Sequence, residues 1–175
     1  KYFETYLKMS GLSQDISSMN PGEFEKAMHI RKKSKRVRDA ALKNYINGRL
    51  GLLIDGTGKD YAKIASQKNK LKQVGYDCFM IFVNTDLDVA LERNKKRDRT
   101  LPEKLVKDAW NGVQNNLGKF QALFGASNML IVDNSEFKDF PAVVKKSANE
   151  FMNRKIQNPI AKAWIKKEKE LRNKK

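Results

Sequence analysis

The stretch Gly51-Leu52-Leu53-Ile54-Asp55-Gly56-Thr57-Gly58-Lys59-Asp60 decides how the chain reads. Four small or apolar positions before Asp55 predict a strand covered on both faces, as in a parallel sheet. A glycine turn and a helix start follow the acid. A Walker A loop needs glycine, four residues, then glycine-lysine and a hydroxyl residue, because backbone amides cradle phosphate and the hydroxyl holds magnesium. Aligned on Gly58-Lys59, Leu53 stands where the first glycine belongs and Asp60 where the hydroxyl belongs. The pattern fails at both ends. The other reading is an acid-bearing strand end beside a phosphate loop located elsewhere.

On the N-terminal side, Phe3, Tyr6 and Leu7 stand at helical spacing and Gly11 stops the turn. Asn20-Pro21-Gly22 predicts a turn and the entry to a helix over 23–47, with Phe24, Ala27, Met28, Val37, Ala40, Ala41, Leu42, Tyr45 and Ile46 towards the core and Gly48 as its stop. The middle of that helix is strongly basic: Arg31, Lys32, Lys33, Lys35, Arg36 and Arg38.

On the C-terminal side, Ile64, Ala65, Leu71 and Val74 mark a helix over 61–74. The run Tyr76 to Asn84 predicts a strand too apolar for a sheet edge, and Thr85-Asp86 caps the helix after it. A basic segment from Arg93 to Arg99 leads to Pro102-Glu103 and one long helix reaching Phe120 and Phe124. Asn128 to Asn134 predicts a third strand, and Phe140-Pro141 opens another helix. Three strands separated by helices predict an α/β fold with parallel strands and right-handed crossovers. Residues 1–152 form the expected domain, with a basic, helical, peripheral tail over 153–175.

Composition sets the class of partner. Within 175 residues, 36 Lys and Arg face 20 Asp and Glu, a net charge of +16, which favours polyanions such as nucleotides and nucleic acid. Hydrophobic content of 40%, with nine Phe, five Tyr and two Trp, is enough for a core. Cys78 as the single cysteine and His29 as the single histidine exclude an internal disulfide and a Cys- or His-based metal cluster, and suit a reducing, cytoplasmic setting. No apolar run approaches the ~20 residues of a membrane span, so no membrane partner is expected. Composition leaves the oligomeric state open.

As an ordered set, Leu52–Gly58 (LLIDGTG), Gly75–Arg99 (GYDCFMIFVNTDLDVALERNKKRDR) and Val106–Phe120 (VKDAWNGVQNNLGKF) resemble the zeta-toxin and polynucleotide-kinase-like branch of P-loop kinases. The resemblance covers about Lys1 to Ser135. It implies a three-layer parallel sheet flanked by helices, the P-loop NTPase kinase-like fold, incomplete at its N-terminus because the Walker A portion would precede Lys1. It also implies ATP and Mg2+ as cofactors and phosphate transfer to a hydroxyl of a nucleotide, nucleic-acid end or nucleotide sugar. By the same resemblance, Arg93, Arg97 and Arg99 form a lid on the nucleotide phosphates, with Arg97 and Arg99 assisting transfer. Asp55 sits near magnesium or substrate, Thr57 and Lys59 line the same mouth, and Arg31, Lys32, Lys35 and Arg36 meet substrate or nucleic-acid phosphates. The bland alternatives are a solvated basic turn for the lid, a surface lysine for Lys59 and a solvated face for the basic helix. The rival function is a non-catalytic nucleic-acid-binding or assembly protein with a degenerate kinase-like fold.

Overall fold

The computed structural model describes residues 2–98, 100–136 and 140–174. The chain divides into two compact units, Lys1–Gly56 with Ala90–Lys107, and Thr57–Val89 with Asp108–Lys175.

In the first unit, helix α1 (Tyr2–Met9) packs against helix α2 (Pro21–Asn47), and Leu7 and Ala27 are fully buried. The start of α2 follows from local chemistry. Asn20 accepts from the Glu23 amide at 2.9 Å while the Glu23 carboxylate accepts from the Asn20 amide at 3.1 Å, a reciprocal capping box with Pro21 behind it. At the other end Gly48 keeps a right-handed backbone, and Arg49 takes the left-handed conformation (φ 54°) that ends the helix. Phe24, Val37 and Tyr45, expected in the core, are 47%, 38% and 48% exposed, because α1 covers only a narrow stripe of a long helix.

The predicted strand at Gly51–Asp55 does not form. The stretch has no regular structure, Leu53 is 98% exposed and Ile54 44% exposed. A strand exists through the ladder it shares with a neighbour, and among the described residues no ladder reaches this segment.

The second unit holds the sheet. Strands β1 (Met80–Asn84) and β2 (Met129–Asp133) pair in parallel, from Met80 opposite Met129 to Asn84 opposite Asp133. The described residues therefore form a helix-rich α/β arrangement with a two-stranded parallel sheet, in place of the expected three strands. Burial alternates along the strand ends: Phe82 and Val132 are buried, whereas Val83 and Ile131 are 43% and 42% exposed. In the parallel register Phe82 lies opposite Ile131 and Val83 opposite Val132, so the two buried residues point to opposite faces of the sheet. The Phe82 face meets Phe120 and Phe124, with Tyr61, Ile64, Val113 and Leu117 packed around them. The predicted strand from Tyr76 is shorter than expected because the Tyr76 amide bonds to the Leu71 carbonyl, finishing helix α3 (Tyr61–Gln73) rather than joining the sheet.

Between the strands run α4 (Leu87–Lys95), α5 (Glu103–Gln114) and α6 (Leu117–Phe124). The single long helix expected after Pro102 is broken at Asn115-Asn116, where the Asn116 amide turns back to the Val113 carbonyl. After β2 come α7 (Phe140–Met152) and α8 (Pro159–Asn173). The tail expected to be peripheral is anchored at its entry. Asn158 is 5% exposed; it caps α8 through the Ile160 amide and donates to the carbonyls of Lys72 at 2.8 Å and Tyr76 at 3.3 Å. Beyond that point α8 has no buried residue, and Trp164 is 38% exposed. No described helix is long and apolar enough to cross a membrane.

Candidate functional site

In parallel sheets the carboxyl ends of the strands are where ligands gather. Here these ends are tied to each other. The Asn134 amide donates to the Asn84 carbonyl at 2.7 Å, extending the pairing past the strands. Asp86 donates its amide to the Ser135 hydroxyl at 3.0 Å, and Ser135 donates its own amide and hydroxyl to Asp133 at 2.9 and 2.8 Å. These bonds hold the Asp133 carboxyl below its ordinary range, the backbone bond first and the hydroxyl second. Helix α5 closes the group from one side. Trp110 Nε1 donates to the Thr85 carbonyl at 2.8 Å, and Gln114 donates to the Asn84 side chain at 2.9 Å. Trp110 thus orients a strand end.

The loop carrying Thr57 and Lys59 is positioned by the helix break. Asn116 is 6% exposed, and its amide nitrogen donates to the carbonyls of Gly58 at 3.2 Å and Lys59 at 2.9 Å. Gly58 needs its left-handed backbone (φ 78°) to make this approach, and it lies over Val113 and Phe120. Gly112 gives further clearance, since a Cβ there would come within 3.3 Å of Lys59 Cβ. Asp60 then caps α3 by accepting from the Lys63 amide at 3.0 Å. The backbone from Gly58 to Asp60 is therefore structural, and it leaves the side chains of Thr57 and Lys59 exposed. Asp55 is likewise exposed, in the unstructured stretch of the first unit.

Two of the expected lid residues, Arg93 and Arg97, lie on either side of a second asparagine, Asn94. Arg93 is half-buried in the last turn of α4 and Arg97 is exposed in the loop after it; Arg99 lies outside the described residues. Asn94 spans this loop, donating to the Leu101 carbonyl at 2.8 Å and accepting from the Leu101 amide at 3.1 Å. The loop's far end is fastened to the 3-10 turn Ile16–Ser18 of the same unit. The hydroxyls of Ser17 and Thr100 both donate to Asp15, and lie 3.0 Å from each other. Bonds from Ser17 and then Thr100 draw the Asp15 carboxyl down to about 2. The basic turn is thus a built loop with an arginine exposed on it.

Arg31, Lys32, Lys35 and Arg36 are all exposed on α2, where Ser34 is the buried residue among them, bonded to the Arg31 carbonyl at 2.8 Å. Among the described residues no group of three His, Cys, Asp or Glu could hold a metal. Mg2+ is ordinarily held by one or two carboxylates plus nucleotide phosphates, and Asp55, the carboxylate expected to meet it, is exposed. Sequence reasoning did not single out Asn94, Asn116, Asp15 or Thr100. Asn94 and Thr100 carry one signal, a short polar side chain near a predicted helix end, whereas Asn116 falls inside the long helix expected after Pro102.

The described elements define a helix-rich α/β protein with a small parallel sheet and built polar loops at helix ends. The family model for zeta toxin matches residues 16–144, so the chain belongs to the zeta toxin family, a P-loop kinase-like family. The resemblance expected from the sequence is borne out over most of its length. Searches of curated proteins and of solved structures each give no significant match.

Proposed function

We propose that the protein is an ATP-dependent phosphotransferase acting on a hydroxyl of a nucleotide, nucleic-acid end or nucleotide sugar. The family match over residues 16–144 carries this reading, since P-loop kinase-like families use ATP and Mg2+ in general. Phosphoryl transfer asks mainly for alignment and charge stabilisation. When bound, ATP supplies the phosphoryl group and Mg2+ offsets charge on its oxygens.

The chain's own residues have separable tasks in this reading. Arg97, exposed on a loop tied down at both ends, holds phosphate oxygens with a guanidinium that stays charged throughout. Arg93 and Arg99 complete the lid. Asp55 offers a carboxylate to metal or to the acceptor hydroxyl. Thr57 and Lys59 present side chains from a loop whose backbone is fixed by Asn116. A loop held in this way loses little entropy when it engages phosphate.

The test is Mg2+-dependent ATP turnover by the full-length protein with nucleotide, nucleotide-sugar and nucleic-acid acceptors. Turnover should fall by roughly 10³-fold in Arg97→Ala or Arg99→Ala if these residues stabilise the transferring group. Unchanged rates in both variants remove the lid assignment, and absence of turnover with every acceptor class removes the kinase reading.

A further inference from the structure

Eight basic residues lie between Lys26 and Lys43, against one acid, Asp39. That acid is engaged by its neighbour, Arg38, whose Nε and Nη2 lie 3.0 and 2.7 Å from one carboxylate oxygen. Helical periodicity sorts the remaining cations. Ala27 and Ser34, seven residues apart, are the buried side of α2. Lys32, Arg36 and Lys43 are spaced by four and then seven residues, which puts them in one row on the side facing away from Ala27 and Ser34, with Asp39, already engaged by Arg38, in the same row. His29 and Lys33 flank the row, and all five residues are exposed. Lys35 flanks the row on the side opposite Lys33, and Arg31 lies farther round the helix.

From this row we infer a docking surface for the phosphate backbone of a nucleic-acid duplex. The cations span about 16 Å at 1.5 Å per residue, on a helix that holds them in a straight line. A duplex presents one negative charge per about 1.7 Å of its axis, so a straight cation row meets several phosphates at once. Other polyanions fit less well. No Phe, Tyr or Trp lies between Lys26 and Lys43, so the row has no aromatic platform for stacking unpaired bases. Val37, the exposed large hydrophobic residue of this stretch, lies off the row, so the row offers neither the apolar side chains an interfacial helix inserts into a membrane nor the aromatic anchors of a protein interface. The row also contains no Asn or Gln to read base edges, so recognition is of backbone and not of sequence. Helix α8 is the informative contrast: its Lys166, Lys167 and Lys169 are interleaved with Glu168 and Glu170, which dilute the field.

The surface is tested by equilibrium binding of the full-length protein to a mixed-sequence 20-base-pair duplex, without ATP or Mg2+, as salt is raised. This readout is independent of phosphotransfer. Binding at low salt should weaken steeply as salt rises. The triple variant Lys32→Gln, Arg36→Gln, Lys43→Gln should bind ~10-fold or more weakly and flatten the log–log salt slope by about 2.7, or 0.9 per lost contact. The matched variant Lys166→Gln, Lys167→Gln, Lys169→Gln removes equal charge and should change the slope much less. No duplex binding at low salt overturns the inference. So does equal loss in the two triple variants, or tighter binding to the single strand, to an acidic peptide or to anionic vesicles than to the duplex.

Discussion

Two asparagines do the same job in the two units, under different conditions. Asn116 fixes the Gly58–Lys59 backbone from a site 6% exposed. Asn94 closes the arginine-bearing loop from an exposed helix end, bonding to both polar groups of Leu101. The buried clamp joins a loop to the core, whereas the exposed clamp only shapes a loop. Removing a buried partner leaves groups poorly solvated, while water replaces much of an exposed one. The comparison therefore predicts a global effect for one and a local effect for the other.

The largest expected effect is at Asn116. Asn116→Ala should lower unfolding stability by about 1–3 kcal/mol, read from urea denaturation, and a midpoint equal to wild type would break the contrast. Gly58→Ala sharpens it. A Cβ there would meet Phe120 and Val113 at an ordinary 3.8 Å, so the cost is conformational. Holding an alanine at φ 78° should cost about 1–2 kcal/mol. A much larger loss would show that packing, not backbone, dominates.

Asn94→Ala comes next, with a change in global stability of about 1 kcal/mol or less. Its signature is local: hydrogen exchange of the Leu101 amide should accelerate while amides of β1 stay protected. Equal acceleration in both would make Asn94 a core residue in energetic terms.

The smallest effect concerns the same loop's second tether. The Asp15 carboxyl falls from its usual 3.8 to about 2 through bonds from Ser17 and Thr100. A depressed acid stabilises the folded form above its unfolded pKa and loses that contribution as pH falls through the folded one. The tether should thus be intact above about pH 4 and weaken towards pH 2, and Asp15→Asn should flatten stability across that window. An unchanged acid limb in the variant would contradict the assignment.

What could be read from the sequence was mostly local. The entry to α2 at Asn20-Pro21, the helix from Tyr61, the apolar centres of β1 and β2, and the Phe140-Pro141 helix start all rest on neighbours in the chain. The failures concern partners far away. Leu52-Leu53-Ile54 has the apolar content of a strand, but a ladder is supplied by another segment, which no local pattern reveals. The continuous periodicity from Leu105 to Phe124 hid the break at Asn116, whose value lies in carbonyls 57 and 58 residues away. Phe24, Val37 and Tyr45 fell on apolar positions of a helix longer than the element covering it. The site followed the same rule. Arg97 was legible as a basic residue after a helix, while the side chains that hold its loop, Asn94 and Thr100, carry no charge to attract notice.

The central claim is that this tethered loop serves phosphoryl transfer. It is tested most directly by steady-state ATP turnover of the full-length protein carrying Asn94→Ala beside one carrying Arg97→Ala. The account predicts that Arg97→Ala lowers kcat by roughly 10³-fold, with Asn94→Ala lowering it less and recovering partly in Asn94→Asp, which restores only the bond from the Leu101 amide. Wild-type kcat in both variants would contradict it.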